Sequence, residues 1–156
     1  MSTSVVESRL AALGLALPAP ARPVASYVMA TRVGNLLYTA GHLPQPAGGA
    51  LIVGKVGAEV TPEEGAAAAK VVALNILATV KAEVGSLDRI VRIVKLTAFV
   101  NCVDGFAGQP AVVNGASNLF KEVLGDRGVH ARSAVGTNAL PLNVPVEIEA
   151  IVEVEA

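Results

Sequence analysis

The chain is nearly devoid of the side chains from which redox, metal and base-stacking sites are usually built. Its only cysteine is Cys102, its histidines are His42 and His130, and it has no tryptophan, two tyrosines and three phenylalanines. A single cysteine excludes an intrachain disulfide, which favours a reducing compartment. One cysteine and two histidines are too few for an ordinary structural zinc site within one chain. So few aromatic rings leave little from which to build a platform for stacking nucleic-acid bases.

Charge of one sign is also lacking. The sequence has 12 basic and 13 acidic residues, a formal net charge of -1, and neither sign is gathered into a tail or a block. Nothing in this distribution would hold a polyanion, so we expect no nucleic-acid partner.

No long hydrophobic run predicts a membrane segment. The apolar runs stay below the ~18 residues that a membrane-spanning helix requires. Residues 10–21, LAALGLALPAPA, are similar to the apolar core and cleavage site of a secretory signal, but Gly14 and Pro18 interrupt them and Glu7 precedes them. We therefore expect a cytoplasmic protein without a membrane partner.

What the sequence does have is apolar residues, which make up 53% of its 156 positions and suffice for one compact core. Periodicity and turn residues predict a short helix ending before Gly14, strands over 24–33 and 36–41, a glycine-weakened strand over 51–60, a helix over 62–84, a strand over 89–100, a helix over 110–124, and strands over 131–136 and 145–154. This order predicts an α+β fold in which one mixed sheet has two long helices packed on one face. We divide the chain into an N-terminal extension, residues 1–22, and a single domain, residues 23–156.

The long helix over 62–84 has the clearest boundaries. Thr61 in the sequence TPEE is placed to cap it, with Pro62 at the first helical position, Glu64 completing a capping box and Gly85 ending it. One stripe of this helix is predicted to be buried, namely Ala69, Val72, Ala73, Ile76 and Val80. Because several strands are apolar on both sides and only two long helices are available, we expect another subunit to cover the second face of the sheet.

The segment HARSAVG, residues 130–136, places Arg132 in an apolar strand, where a guanidinium needs a partner. The final strand, VPVEIEAIVEVEA, alternates so that Glu147 shares one side with the other glutamates and the valines share the opposite side. Arg132 and Glu147 would then lie on neighbouring strands or one strand apart. A guanidinium grips a carboxylate with two bonds, and a glutamate can position a water. The residues alone leave a structural ion pair and a binding site equally open.

The closing segment resembles that of the Rid family, the reactive intermediate deaminases, also called YjgF or endoribonuclease L-PSP proteins. Their pattern is Ala-Arg-Ser, Leu-Pro and a strand ending Glu-Ile-Glu-Ala-Ile. It stands here as Ala131-Arg132-Ser133, Leu140-Pro141 and Glu147-Ile148-Glu149-Ala150-Ile151, with the family's spacing. The stretches GNLLYTAGHLP at 34–44, residues 74–100 and VNGASNLF at 113–120 agree with it, so the resemblance covers residues 23–154.

The resemblance implies a chorismate-mutase-like fold and a homotrimer with clefts between its subunits. It also implies hydrolysis of reactive enamines and imines, such as 2-aminoacrylate, to 2-keto acids and ammonia. In that reaction Arg132 would hold the substrate carboxylate and Glu147 would orient the attacking water, while Tyr27, Asn114 and Ala134 would line the pocket. Neither a metal nor a cofactor is expected, because an imine carbon is already electrophilic and positioning supplies much of the catalysis.

The pocket wall departs from the family pattern. Ala25-Ser26-Tyr27 replaces Gly-Pro-Tyr, Ala40-Gly41-His42 replaces Ser-Gly-Gln, and Ala134 stands where a cysteine or threonine is frequent. A carboxylate site is therefore better supported than any particular substrate. Two other functions stay open: a non-catalytic protein of the same fold that binds a small carboxylate, and an endoribonuclease, which the neutral charge and scarce aromatics disfavour.

The two histidines and the single cysteine are not among the residues predicted to bind or convert the substrate. His42 lies in a loop, so we expect its side chain either to be solvated or to face the pocket. His130 precedes a strand and is expected at the surface. Cys102 follows an apolar strand and is expected to be a small core residue.

Overall fold

The computed structural model describes residues 4–156. Its helices are α1 (Val5–Ala12), α2 (Pro62–Val84) and α3 (Gln109–Leu124), and its strands are β1 (Ala30–Val33), β2 (Leu36–Thr39), β3 (Ile90–Asn101), β4 (Ala131–Thr137) and β5 (Val146–Val154). Short 3-10 turns over Leu87–Arg89, Gly125–Gly128 and Pro141–Asn143 precede β3, β4 and β5. These elements confirm the predicted α+β fold with two long helices.

The five strands form one mixed sheet in the order β1-β2-β5-β3-β4. The pairs β1–β2, β2–β5 and β3–β5 are antiparallel, and β3–β4 is parallel. The first hairpin turns at Gly34 and Asn35, as predicted, and Gly34 has a φ of +59°, which glycine adopts without strain. Strand β3 lies between β4 and β5, so Arg132 and Glu147 stand one strand apart.

Helices α2 and α3 cover one face of this sheet. The predicted capping box is present, since the Glu64 amide donates to the Thr61 hydroxyl at 3.1 Å and the Thr61 amide donates to the Glu64 carboxylate at 2.8 Å. Gly115 allows α3 to approach α2 closely, because a Cβ there would overlap the Ala66 carbonyl group. The predicted buried stripe of α2 is confirmed for Ala69, Val72, Ala73, Ile76 and Val80.

The last strand, β5, separates its side chains as the alternation predicted. One side is buried beneath the helices and consists of Val146, Ile148, Ala150, Val152 and Val154. The other side carries Glu147 and the remaining glutamates and belongs to the open face of the sheet, where Tyr38 and Val135 are exposed. This face is partly exposed in the single chain, so the expected cover by another subunit stays a prediction.

Two strands differ from the prediction. Strand β1 begins at Ala30 rather than at residue 24, because the residues before it form an exposed bend instead of pairing with β2. Residues 51–60 form only isolated bridges. Within them Gly54 and Gly57 have φ values of +125° and +90°, which interrupt the extended backbone of a strand.

Helix α1 ties the N-terminal extension to the core. Its Val6 and Leu10 side chains are buried in the main hydrophobic cluster. The Asp88 carboxylate caps the helix, accepting the backbone amides of Val5 and Val6 at 3.0 Å each and the Ser4 hydroxyl at 2.9 Å. The extension is therefore packed against the domain along α1.

Helix α2 is long and apolar enough, by length and composition alone, to cross a membrane, although polar residues interrupt its apolar runs. However, 61% of its apolar window is buried inside the domain. This burial matches its role as the central core helix.

Candidate functional site

Arg132 lies on the edge strand β4 and points to the side of the sheet that the helices cover. Its register partner on β3 is Leu96, which is buried beneath those helices. The guanidinium donates from Nη1 to the Ser117 hydroxyl at 3.1 Å and from Nη2 to the Pro110 carbonyl at 3.3 Å. Both partners are neutral, and within residues 4–156 no carboxylate forms an ion pair with Arg132. Arg132 is therefore not part of a structural ion pair within the described residues.

Two more of the predicted site residues lie beside Arg132. Ala134 follows it by two positions and so shares its side of β4. Asn114 is exposed on α3, one turn after Pro110 and one turn before Ser117, the two residues that hold the guanidinium. The structure thus brings Arg132, Asn114 and Ala134 to one edge of the sheet.

His130 is half-buried beside Arg132, which corrects the expectation of a surface histidine. Its Nδ1 lies 2.6 Å from the Gly128 carbonyl oxygen and its Nε2 lies 2.9 Å from the Ser117 hydroxyl. Burial lowers the pKa of His130 below its ordinary value of 6.5; the bond to Gly128 opposes this shift and the positive charge of Arg132 adds to it. The neutral imidazole is therefore favoured at neutral pH.

A cavity of about 200 Å³ opens around these groups. Its wall includes Ser117, Asn118, Lys121, His130 and Arg132. The charged side chains in this wall are basic, and none of its described residues is an aspartate or a glutamate. Such a lining suits the anionic end of a small ligand.

Glu147 stands on the open face of β5, against the segment that leaves β2. A Cβ added at Gly41 would lie 2.9 Å from the Glu147 Cδ atom, so glycine at this position leaves room for the carboxyl group. Burial raises the pKa of Glu147 above its ordinary value of 4.5, and the negative charge of Glu149 raises it further. A carboxylate with a raised pKa is a stronger proton acceptor than an exposed one, which suits it to take a proton from water.

Tyr27 lies at the same end of the sheet as Glu147. Its side chain is 49% exposed in the bend before β1. Two residues further on, the Met29 carbonyl accepts the Ala40 amide at 2.8 Å, which extends the first hairpin towards Gly41. Tyr27, Gly41 and Glu147 therefore form a second group of candidate site residues.

The two groups are separate within one chain. Along β3, Arg132 is in register with Leu96 and Glu147 is in register with Phe99. Three residue rises and two strand spacings place the backbones about 10 Å apart in each direction. Since Leu96 and Phe99 are on opposite faces, the two side chains also leave opposite faces of the sheet. A single small ligand therefore cannot contact Arg132 and Glu147 of the same chain.

His42 is a buried residue, so the prediction of a solvated side chain is wrong, and it belongs to the wall of the larger cavity described below rather than to the cavity beside Arg132. It is 1% exposed. Its Nδ1 donates to the Ala40 carbonyl at 2.7 Å, and its Nε2 lies 2.7 Å from the Thr79 hydroxyl of α2. Burial lowers its pKa below 6.5 despite the bond to Ala40. His42 thereby anchors the segment that carries Gly41.

A larger cavity, of about 530 Å³, lies between the N-terminal connector and the loop after β2. Its polar side chains are already bonded, because Asn75 and Gln45 both donate their side-chain amides to backbone carbonyls. Neither Arg132 nor Glu147 lines it. Size alone therefore does not make it the predicted site.

Among residues 4–156, no three histidine, cysteine, aspartate or glutamate side chains gather where they could hold a metal ion. Cys102 is buried, which confirms the prediction of a core residue. What the described residues offer a ligand is a guanidinium in a basic cavity and a half-buried carboxyl group with a raised pKa.

The chain has a mixed sheet with two long helices on one face, an arginine on the edge strand and a glutamate on the open face. This arrangement places it among small single-domain α+β proteins with a chorismate-mutase-like fold. The sequence model of the family described as "YjgF/chorismate mutase-like, putative endoribonuclease" matches residues 7–154. The chain belongs to this family, which confirms the resemblance in the closing segment.

Individual relatives support this assignment. The protein TCP17 of Trypanosoma cruzi is 43% identical over 149 residues, which cover 95% of this chain and 93% of that protein. The crystal structure of Atu1372, a protein of unknown function from Agrobacterium tumefaciens, is 48% identical with a TM-score of 0.90, covering 97% of this chain and 93% of its own. A RutC family protein of Pasteurella multocida is 34% identical over 131 residues, 82% of this chain and 87% of that protein.

Sequence reasoning missed Ser117, His130 and Gly41. The spacing held a signal for the first two, since Ser117 follows Asn114 by three residues on a helix and His130 precedes Arg132 by two in an extended segment. Gly41 had no comparable signal, because its role depends on a side chain from β5 that only the fold brings to it.

Proposed function

We propose that this protein is a cytoplasmic enzyme that hydrolyses reactive enamines and imines of the 2-aminoacrylate type to 2-keto acids and ammonia. The proposal rests on the hydrogen-bond partners and surroundings of the Arg132 guanidinium. Its guanidinium is oriented by two neutral partners inside a basic cavity and forms no ion pair within the described chain. A planar carboxylate is the ligand that such a fork binds with two bonds.

The chemistry follows from the ligand's own structure. In a 2-imino acid the carboxylate is attached to the carbon of the C=N bond, so holding the carboxylate also places the reacting carbon. Glu147 takes a proton from water as the water oxygen bonds to that carbon, and the proton is returned to the nitrogen. The added hydroxyl group then gives up its own proton, which Glu147 passes to the nitrogen as the C–N bond breaks, so that ammonia leaves and the carbon becomes the ketone of a 2-keto acid. An enamine enters the same route after a proton is added to its β-carbon.

Arg132 and Glu147 would act on one ligand from different chains of a homotrimer. Within one chain they leave opposite faces of the sheet. The open face that carries Glu147 also leaves Tyr38 and Val135 exposed, the type of surface that a second copy covers. In this arrangement Tyr27 and Glu147 of one chain would face Arg132, Asn114 and Ala134 of the next.

The proposal is tested by ammonia release from 2-imino acids generated in the assay by an amino acid oxidase. Wild-type protein should accelerate release, and Arg132→Lys should lose most of the acceleration, because an ammonium cannot reproduce the planar fork of a guanidinium. Ser8→Ala, an exposed change on α1, is the control. Release no faster than in buffer would overturn the deaminase proposal.

The same samples distinguish the alternatives. Binding of 2-oxobutanoate without ammonia release would make the protein a carboxylate-binding member of the fold. Cleavage of RNA that survives Arg132→Ala would support the activity named in the family description and would remove Arg132 from the mechanism.

A further inference from the structure

Arg132 is the first member of a chain of hydrogen bonds that ends on the backbone. Its Nη1 donates to the Ser117 hydroxyl at 3.1 Å, and that oxygen lies 2.9 Å from His130 Nε2. The other ring nitrogen, Nδ1, lies 2.6 Å from the Gly128 carbonyl. We propose that Ser117 and His130 are positioning residues that hold the Arg132 guanidinium in the orientation required for the ligand carboxylate. This inference rests on the proposed function.

The direction of the chain follows from counting protons. A carbonyl oxygen only accepts, so Nδ1 of His130 carries the hydrogen that it shares with Gly128. In the neutral ring Nε2 is then an acceptor, and it takes the hydrogen of the Ser117 hydroxyl. The lone pairs of Ser117 Oγ are thereby turned towards the N–H of Arg132. Each bond orients the next, so the neutral imidazole sets the hydroxyl and the hydroxyl sets the guanidinium.

Packing and hydrogen bonds fix the orientation of the His130 imidazole ring, which allows it to orient the Ser117 hydroxyl. Phe120 packs edge-on against it, with ring centroids 6.0 Å apart and planes at 83°. Phe120 and Ser117 lie three residues apart on α3, so one helix supplies both the packing and the hydroxyl. His130 is thus fixed by the backbone carbonyl of Gly128 on one side and by α3 on the other.

Protonation of His130 would reverse the direction of the hydrogen bond between His130 and Ser117. Nε2 would then donate to Ser117 Oγ, and the Ser117 hydrogen would need a different acceptor. The charged side chains lining the same cavity are Arg132 of β4 and Lys121 of α3. Both are cationic, so a charged imidazole would add a third positive group there. The positioning effect should therefore be present at neutral pH and decline as His130 becomes protonated.

The point of contact determines which kinetic constant should change. Arg132 is held at two places, Ser117 Oγ on Nη1 and the Pro110 carbonyl on Nη2. Without the Ser117 hydroxyl the hydrogen bond from Nη1 is lost, and the guanidinium plane can rotate about the remaining bond from Nη2 to the Pro110 carbonyl. Affinity for the carboxylate should then fall while Glu147 and its water are unaffected. We expect KM and the Kd for a 2-keto acid to rise by about tenfold, with a much smaller change in kcat.

The experiment uses full-length Ser117→Ala, His130→Ala, the double variant and His130→Gln. Binding of 2-oxobutanoate is measured by calorimetry, and kcat and KM are measured by ammonia release. Both single variants should weaken binding by similar factors, and the double variant should be no weaker than the single ones, because the two residues act as one unit. His130→Gln should recover much of the affinity, since a glutamine carbonyl can accept the Ser117 hydrogen.

A pH series provides a readout that a purely structural role would not change. In the wild type, affinity for 2-oxobutanoate should fall as His130 is protonated, whereas the added positive charge acting alone would raise it, and the fall should be absent in His130→Gln. Ser8→Ala again serves as the matched serine control. Thermal unfolding of every variant separates loss of affinity from loss of fold, and His130→Gln keeps the test informative where His130→Ala unfolds.

The outcomes separate this inference from the proposed function. Wild-type binding that Arg132→Ala abolishes but Ser117→Ala and His130→Gln leave unchanged at every pH would overturn the positioning inference alone. Independent, multiplying effects of the two substitutions would also overturn it. A wild-type protein that neither binds 2-oxobutanoate nor releases ammonia would overturn the proposed function, and the positioning inference with it.

Discussion

Two inactive variants should restore activity to each other if the site is shared between chains. Arg132→Ala removes the guanidinium and leaves Glu147 intact, whereas Glu147→Gln removes the base and leaves Arg132 intact. In one chain these residues leave opposite faces of the sheet, about 10 Å apart along the strands and again across them. If both residues act on one ligand, as we propose, the site combines Arg132 of one subunit with Glu147 of the next.

The expected recovery can be calculated from the symmetry. In a cyclic trimer each site joins one chain to its neighbour through the same two surfaces. A mixed trimer holds two chains of one variant and one chain of the other, so in either composition one of its three sites joins an intact guanidinium to an intact carboxylate. Activity of the purified mixed trimers should therefore return to roughly one third of the wild type. Since loss of a general base costs about 10²–10⁴-fold, this is a rise of roughly 30-fold or more above the Glu147→Gln parent.

The assay requires assemblies that contain both variants. Coexpression with two different affinity tags and sequential purification gives them, and ammonia release from a freshly generated imine measures their activity. Each variant assembled alone is the control, and light scattering establishes the mass. Assemblies of trimer mass that hold both variants yet remain as inactive as their parents would refute a site shared between chains. A monomer mass for the wild type at micromolar concentration would refute the trimer itself.

Three other changes test separate parts of the structure. Gly41→Ala should lower kcat by up to about 100-fold without unfolding the protein, because the added methyl group meets the flexible end of Glu147; an unchanged kcat would show that this contact does not position the base. Glu149→Gln removes the negative charge that raises the pKa of Glu147, so the acidic limb of the kcat/KM profile, where the base becomes deprotonated, should move to lower pH; a limb that stays in place would mean that another group titrates there. Thr61→Ala should lower the free energy of unfolding by about 1 kcal/mol, measured with urea, and Glu63→Ala, which leaves the capping box intact, should cost less.

The parts of the fold that the sequence predicted well are those in which local and long-range preferences agree. Helix α2 has a capping box, an N-terminal proline and a stopping glycine, and its apolar stripe coincides with its buried side. Strand β5 has a strict alternation that burial reproduces residue by residue. The segment 51–60 failed because its apolar residues suggested a strand while Gly54 and Gly57, at positive φ, do not permit one.

The candidate site was only partly predictable because its geometry depends on which face each residue occupies. The sequence placed Arg132 and Glu147 on separate strands, but their relative faces depend on the register of both strands against β3. His130 and His42 were misjudged for a related reason. Each occupies a short segment outside the long strands, and each is buried by a helix, through Ser117 in one case and Thr79 in the other.

The separation of Arg132 from Glu147 has a physical consequence for both groups. If they were neighbours in one chain, the guanidinium would lower the pKa of the carboxyl group and each would occupy the other's bonding positions. On opposite faces, Glu147 retains a raised pKa and Arg132 retains neutral partners. In the proposed trimer, where a guanidinium of one chain approaches a carboxylate of the next, a bound substrate would supply its own carboxylate for Arg132. The ligand would then occupy the guanidinium and leave Glu147 available to take the proton from water.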